Sequence, residues 1–352
     1  MNIKEYLQQA IENEASDLHI TTGLPVVIRR FGSLYFLDDC ILKPSDCLGW
    51  VEQCLTDEQR EKLDGLGEVD FAYMLPGIGR FRVNAYRQRG TYAIAFRIIS
   101  AKVPALSELG LPDIMYDLAN KQRGLVLVTG PTGSGKSTTL AGMIDHINSD
   151  RRCRIITIED PIEYLYKHNR SMINQREIGA DTNSYSNALR AALREDPDVI
   201  LIGEMRDEET ISIALTAAET GHLVFSTLHT LGAAKTIDRI IDVFSPHQQG
   251  QVRSQLSTVL QGIVSQQLIR QADNLGRVVA TEVMMVTPAI SNMIRESRTM
   301  QINSSIHTGS EFGMHSMDTS LASLVRQEKI TFETACQYSI DAAALKKLLA
   351  VN

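Results

Sequence analysis

Residues 130–138 read GPTGSGKST and fit the pattern G-x-x-x-x-G-K-[ST] of a phosphate-binding loop. The apolar run LVLV precedes the loop and TTL follows it, so we expect a strand before it and a helix after it. This context disfavours the alternative of a glycine-rich turn without a ligand. Glycines let backbone N–H groups surround phosphates, and the start of the helix adds its positive dipole. The residues predicted to contact nucleotide are Gly130, Thr132, Gly133, Ser134, Gly135, Lys136, Ser137 and Thr138.

Two side chains of this loop have specific predicted roles. Lys136 supplies a positive charge for the β- and γ-phosphate oxygens, and the hydroxyl of Ser137 suits Mg²⁺. We therefore expect ATP and Mg²⁺ as the ligands of this site.

A carboxylate follows a second apolar run, in DPDVILIGEMRD at residues 196–207. Ligands of a doubly wound sheet lie outside the carboxyl ends of its strands, and Glu204 falls at such an end. A carboxylate there can orient a water for in-line attack on the γ-phosphate, or hold Mg²⁺ through a bridging water. The alternative is a solvated glutamate that opens a loop.

A third run, RIITIEDPIEY, ends in the carboxylates of Glu159, Asp160 and Glu163. Pro161 ends the strand, so these side chains are expected at the same edge of the sheet. Three negative charges close to a triphosphate favour a Mg²⁺ ion between them, and Glu163 is a second candidate for that site. The alternative is an acidic turn on the surface.

Two histidines enclose the apolar run of GHLVFSTLHT at residues 221–230. Seven extended residues separate His222 from His229 by up to roughly 23 Å, which excludes joint ligation of one metal. His229 lies at the carboxyl end of the predicted strand and is the better candidate for sensing the γ-phosphate. His222 is a weaker candidate for the nucleotide site, and it could instead be structural or face a neighbouring subunit.

The elements that must position these residues are short apolar runs that alternate with helical stretches from about residue 113. Strands buried on both faces and separated by helices indicate a parallel α/β sheet. Beyond about residue 285 the pattern predicts a mainly helical part, with an irregular polar stretch at 303–318. Residues 101–112 contain two prolines and one glycine and are expected to be a linker.

The pattern of residues 1–100 predicts a small α+β module, with an opening helix marked by the spacing of Ile3, Leu7 and Ile11, then strands, and then a helix around 45–63. The segments RFRVNAYR and TYAIAFRII are predicted to be two strands of a β-hairpin. Arg80 and Arg82 share one face of the first strand, and Arg97 lies near the end of the second. The simplest interpretation of this pattern is a basic face of the hairpin that is exposed to solvent.

The composition excludes several functional classes. A net charge of −7 gives no general electrostatic reason to bind nucleic acid or an anionic membrane. No apolar run reaches the ~18 residues that span a bilayer, and the acidic N-terminus lacks the features of a signal peptide. The five cysteines form no C-x-x-C pair and are expected to be reduced thiols in a cytoplasmic protein.

Taken in order, GPTGSGKST, ITIEDPIEY, LIGEMRD and TGHLVFSTLHT resemble the four nucleotide-site motifs of the secretion ATPase superfamily of type IV pilus and type II secretion motors. ASDLHI, GRFRVNAYRQRG, NQREIGADT and GMHSMDTSL extend the resemblance over nearly the whole chain. Two features favour the pilus retraction branch of this superfamily. Only a short region precedes the predicted ATPase core, and no four-cysteine module follows the histidines. AISNMIRE at 289–296 resembles that branch's signature, but has Ser291 where the branch has arginine.

The resemblance implies a RecA-like P-loop ATPase core with a PAS-like N-terminal domain, assembled as a homo-hexamer at the cytoplasmic face of the inner membrane. It also implies nucleotide between the two domains, arginine fingers from among Arg80, Arg82 and Arg97 (Arg82 and Arg97 first), and an inner-membrane pilus platform protein as partner. ATP hydrolysis would then drive pilus retraction and twitching motility. The alternatives are an accessory retraction ATPase, another secretion motor, an ATP-binding regulatory switch and a nucleic-acid translocase.

Overall fold

The computed structural model describes residues 2–30, 32–99, 102–273 and 276–350. Its chain divides into two compact units. The first runs up to Lys102 and includes Glu163–Leu165, and the second comprises Val103–Ile162 and the residues from Tyr166 onward. Ala101, the first residue of the predicted linker, lies outside the described residues.

The first unit packs three helices against an antiparallel sheet whose described order is β3-β2-β1-β6-β5-β4. Two helices replace the single one predicted around 45–63, because Thr56 has extended backbone and its side chain caps the second helix. The elements are α1 Ile3–Glu12, β1 Asp17–Ile20, β2 Val27–Arg30, β3 Ser33–Phe36, α2 Pro44–Cys54, α3 Asp57–Leu66, β4 Glu68–Leu75, β5 Gly79–Gln88 and β6 Thr91–Ile99.

The predicted hairpin is confirmed as β5 and β6. Its two-residue turn, Arg89-Gly90, has φ angles of 48° and 76°, the left-handed pair that a type I′ turn requires. Phe81 is fully buried, whereas Arg82 is exposed and lies directly opposite Arg97 on the neighbouring strand. The hairpin therefore presents two guanidinium groups side by side.

The second unit contains a mainly parallel sheet with the described order β13-β12-β7-β11-β10-β8-β9, in which β12 and β13 pair antiparallel. Its strands are β7 Gly124–Thr129, β8 Arg154–Glu159, β9 Met172–Glu177, β10 Val199–Ile202, β11 Leu223–Leu228, β12 Leu260–Arg270 and β13 Arg277–Met285. Its helices are α4 Ile114–Ala119, α5 Lys136–Asp150, α6 Tyr185–Ala192, α7 Glu208–Glu219, α8 Ala233–Asp242, α9 Pro246–Val259, α10 Pro288–Arg295, α11 Ile302–Thr308, α12 Met317–Arg326, α13 Phe332–Tyr338 and α14 Ala342–Ala350, with 3₁₀ turns at Leu106–Leu109, Thr299–Gln301 and Ser310–Phe312.

The parallel α/β sheet predicted from the four apolar runs is confirmed, since those runs are β7, β8, β10 and β11. Every residue of β7, β10 and β11 is buried, as expected for strands covered on both faces by helices. The prediction of an irregular stretch at 303–318 is confirmed for residues 309–316, whose only helical part is a short 3₁₀ turn, and is wrong for residues 303–308, which lie in a helix. Helix α11 begins there because Ile302 and Ile306, four residues apart, share a buried face.

Buried polar side chains of β13 hold neighbouring segments to the edge of this sheet. The carboxylate of Glu282 accepts a hydrogen bond from the Ala233 N–H at 2.8 Å, at the start of α8, and burial raises the pKa of Glu282. His315 Nε2 lies 2.9 Å from the hydroxyl of Thr281, and burial lowers the pKa of His315 below its usual 6.5. The native state therefore favours neutral His315.

The lowered pKa of His315 predicts a loss of stability on acidification. Below pH ~6.5 the unfolded state binds a proton at this site more readily than the native state does, so the free energy of unfolding falls as the pH falls. Urea unfolding midpoints at about pH 7.5 and about pH 5.5 measure this slope. We expect a shallower slope for His315→Gln, and equal slopes in the two proteins would contradict the assignment.

Candidate active site

The loop between β7 and α5 is organised around a buried ammonium group. Lys136, the first residue of α5, is 8% exposed, and its Nζ donates hydrogen bonds to the carbonyl oxygens of Gly130 and Pro131 at 2.9 and 3.0 Å. A buried charge is costly unless it is hydrogen-bonded, so these carbonyls stabilise the ammonium inside the loop. The positive charge predicted from the sequence is thus fixed at the carboxyl end of β7.

Glycine is required at two points of this loop. A Cβ at Gly130, where φ is +141°, would collide with the backbone carbonyl oxygen of Gln266. Gly133 has a φ of +79° and open space beside it. Gly130 therefore permits close packing below the loop, and Gly133 leaves the exposed side of the loop open to a ligand.

The loop has polar groups that suit phosphate. Among the described residues, the buried hydroxyls of Thr129 and Ser134 have no hydrogen-bond partner. The half-buried Ser137 stands in the first turn of α5, where backbone N–H groups lack partners within the helix. Hydroxyl donors, the backbone N–H groups at a helix start and an ammonium together fit the oxygens of a nucleoside triphosphate.

Glu204 lies at the same edge of the sheet, directly after β10 and Gly203. The Gly203 N–H donates to Ile158 at 2.8 Å and its carbonyl accepts from Thr227 at 2.6 Å, which fixes the backbone on both sides. The side chain of Glu204 is 16% exposed. The sequence prediction of a carboxylate at a strand end is confirmed in its position.

Both oxygens of Glu204 have protein partners. Arg206 Nε donates to Oε1 at 2.6 Å, and His229 Nε2 lies 3.1 Å from Oε2. A carboxylate offers about four lone-pair positions, so either oxygen can still accept a hydrogen bond from water. The structure thus joins Glu204 and His229, two residues predicted separately, into one unit.

The acidic cluster after β8 surrounds a residue that the sequence did not indicate. Tyr185 begins α6, and its pKa is raised first by burial and then by the charges of Asp160, Glu204 and Glu159. Its hydroxyl lies 2.9 Å from the position a Cβ at Gly203 would take. Three carboxylates from two strand ends therefore meet around one phenol, which no motif around position 185 signals.

Glu159 is held more firmly than Asp160. The Glu159 side chain is buried, and its Oε1 accepts hydrogen bonds from Thr157 at 2.6 Å and from Gln175 at 3.2 Å. Asp160 is exposed. The first carboxylate is therefore restrained by its own strand and by β9, and the second remains accessible to water or a ligand.

The structure separates His222 from these residues. His222 precedes β11, at the opposite end of that strand from His229, and its Nδ1 lies 2.9 Å from the carbonyl oxygen of Ala217 and 3.2 Å from the hydroxyl of Thr220. It ties the end of α7 to the start of β11, which agrees with the structural alternative and does not support a nucleotide contact.

Four other predicted residues are grouped with the first unit, and their roles stay predictions. They are Glu163, Arg80, Arg82 and Arg97.

Comparison with known proteins agrees with this architecture. The sequence model of the family described as type II/IV secretion system protein matches residues 79–340. The type IV pilus retraction ATPase PilT of Pseudomonas aeruginosa is 48% identical over 335 residues, which cover 95% of this chain and 97% of that protein. A twitching motility protein of Neisseria gonorrhoeae is 54% identical over 325 residues, or 92% of this chain and 87% of that protein. A crystal structure of the pilus retraction motor PilT with bound ADP is 48% identical, covers 99% of each chain and has a TM-score of 0.92.

None of the described helices combines the length and apolar character needed to cross a bilayer.

Glu204→Gln tests the catalytic role of this carboxylate. The amide keeps the size of the side chain but is a poor proton acceptor, so we expect kcat for ATP hydrolysis to fall by about 100-fold or more. ATP affinity should stay within about twofold, because Lys136 and the loop are unchanged. Phosphate release and fluorescent-nucleotide titration measure the two quantities. Glu208→Gln, on the exposed first turn of α7, is the control, and near-normal turnover of Glu204→Gln would remove the assignment.

Proposed function

The chain belongs to the family of type II/IV secretion system proteins, whose members are ATPases, and from this premise we propose that it is the motor that retracts type IV pili. The observation that carries the proposal is the likeness to a pilus retraction ATPase along nearly the full length of both chains, in sequence and in fold. Retraction of a pilus fibre would in turn produce twitching motility, the activity for which the gonococcal relative is named.

Hydrolysis begins with the phosphate loop. Lys136 and the backbone N–H groups at the start of α5 bind the β- and γ-phosphates, where the lysine exchanges its carbonyl partners for phosphate oxygens. Ser137, and Glu163 or Glu204 through a water, would hold Mg²⁺, which when bound offsets the charge of the phosphates. The described residues contain no group of three or more His, Cys, Asp and Glu side chains able to hold a metal by themselves.

The pair of Glu204 and His229 orients the attacking water. His229 restrains one carboxylate oxygen of Glu204, so the other can accept a proton from a water aligned with the γ-phosphate. Arg206 contacts that other oxygen, but its side chain is 73% exposed, and an exposed ion pair is weak enough to exchange for water. His229 would then respond to the presence of the γ-phosphate through the position of Glu204.

The hairpin arginines are proposed to complete the site. Arg82 and Arg97 are a direct cross-strand pair on an exposed face, which places two positive charges where one phosphate group can be contacted by both. Arg97 pairs with Asp17 at 3.0 Å, and its side chain is 67% exposed, so this contact can be exchanged. Arg80, two residues before Arg82 on the same strand, is the third candidate.

The assembly proposed is a homo-hexamer at the cytoplasmic face of the inner membrane, where it acts on a pilus platform protein and has no direct contact with nucleic acid. A net charge of −7 supports the last point, because a nucleic-acid translocase needs a positively charged path for the phosphate backbone.

Alanine substitutions of the hairpin arginines test the proposed fingers. Arg82→Ala or Arg97→Ala should reduce kcat for phosphate release by about 100-fold or more, since such groups stabilise charge that develops in the transition state. Arg87→Ala removes the same charge from β5, the strand that carries Arg82. Because Arg87 pairs with Asp64, kcat of this variant should stay within about twofold of the wild-type value. An equal loss in all three variants would show that the effect is not specific to the proposed fingers.

Surface piliation in a deletion strain tests the direction of work. Deletion should leave abundant surface pili and abolish twitching. The wild-type gene should return the number of pili to normal and restore twitching, whereas the Glu204→Gln gene should do neither. Electron microscopy of pili and a twitching-zone assay measure the two outcomes. Absence of pili in the deletion strain would assign the protein to extension, and twitching at the wild-type level would exclude an essential role in retraction.

A further inference from the structure

Strand β12 contributes a buried amide to the floor of the phosphate loop. It runs parallel to β7, with Ser265 opposite Thr129, the last residue of β7, so the next residue, Gln266, lies directly beneath the loop. Gln266 is 1% exposed. A polar side chain so completely buried needs hydrogen-bond partners, and it finds them in the loop and in α5.

The amide of Gln266 bridges the loop and the helix that follows. Its Nε2 donates to the carbonyl oxygen of Ser134 at 2.7 Å, and its Oε1 accepts from the hydroxyl of Thr139 at 3.0 Å. Because the donor and the acceptor of the amide are both used, its orientation is determined. Lys136 and Ser137 lie between the two bridged positions in the sequence. Their position is therefore set by contacts on both sides.

The backbone of Gln266 also touches the start of the loop. Its carbonyl oxygen occupies the space that a side chain at Gly130 would need, and its Nε2 lies 3.2 Å from the position of a Cβ at Gly135. One residue thus contacts the loop at its first glycine, at Ser134 and at its last glycine, and then reaches the first turns of α5.

The preceding residue holds the loop that carries His229. The hydroxyl of Ser265 accepts a hydrogen bond from the N–H of Gly232 at 2.9 Å, three residues after His229 and at the start of α8. Successive side chains of a strand point to opposite faces, so Ser265 and Gln266 reach different loops from one short segment. The phosphate loop and the loop that carries His229, which would both contact the γ-phosphate, are therefore fixed to the same strand, β12.

We propose that Gln266 is a positioning residue for ATP hydrolysis, which acts through Ser134 and Thr139 to hold Lys136 and Ser137 in the geometry that binds the phosphates. The inference rests on ATP turnover by this site, and it does not depend on the direction of pilus movement. Loss of the amide would leave the carbonyl of Ser134 and the hydroxyl of Thr139 without their buried partner, and the loop would no longer be held on its inner side.

Gln266→Met and Gln267→Met form a matched pair for the test. Gln267 is the same residue type on the same strand and is also buried, but its Nε2 donates to the carbonyl oxygen of Tyr338 at 3.2 Å. Both variants should lower the thermal unfolding midpoint, because each removes a buried hydrogen bond. We expect Gln266→Met to raise KM for ATP and Kd for a fluorescent ATP analogue by about tenfold or more, and Gln267→Met to change them by less than about twofold. Equal changes in the two variants would overturn the proposal.

Variants of Thr139 provide an independent test if Gln266→Met does not fold. Thr139→Val removes the hydroxyl that Gln266 accepts from and should raise KM for ATP by about three- to tenfold, whereas Thr139→Ser retains the hydroxyl and should restore KM to within about twofold. An unchanged KM in Thr139→Val would contradict the proposal. Turnover by the wild-type protein in the same assay tests the ATPase activity itself, so failure of that activity is distinguished from failure of the role of Gln266.

Discussion

The parallel register of β8, β10, β11 and β7 decides where chemistry can occur in this protein. Hydrogen bonding aligns Ile158 with Ile202, Ile202 with Ser226, and Leu228 with Thr129, so the chain leaves all four strands at one edge of the sheet. An acidic turn, the carboxylate of Glu204, a histidine and the loop of residues 130–138 are thereby collected from segments spread over about a hundred residues of sequence. Antiparallel strands would divide these groups between the two edges of the sheet, because neighbouring strands would then end at opposite edges.

The second constraint is close packing beneath the loop. A triphosphate needs a loop that is open on one side and fixed on the other, and β12 provides the fixed side. The absence of a side chain at Gly130 lets the backbone of Gln266 approach, and the amide of Gln266 then reaches Ser134 and Thr139. Burial of the ammonium of Lys136 among the loop carbonyls completes a compact structure that can exchange those carbonyls for phosphate oxygens.

Much of the site is predictable from local sequence, and the rest depends on distant contacts. The phosphate loop and the position of Glu204 follow from short patterns, because a strand end and the residue after it are adjacent in the chain. The link of Gln266 to the loop joins residues 127 and 132 positions apart, and no local pattern records it. Tyr185 is also missed, because it gains its acidic neighbours only when α6 packs near β8 and β10. The helix missed at residues 303–308 has a related cause, since burial of Ile302 and Ile306 outweighs the polar composition of that stretch.

The central claim is that these strand ends form one ATP-hydrolysing site built on the ammonium of Lys136. Steady-state phosphate release by the purified wild-type protein and by Lys136→Ala tests it most directly, with Lys235→Ala, on the exposed face of α8, as a control for loss of one positive charge. We expect many turnovers per protomer for the wild type and Lys235→Ala, and a loss of about 100-fold or more for Lys136→Ala. Turnover by Lys136→Ala equal to that of the wild type would contradict it.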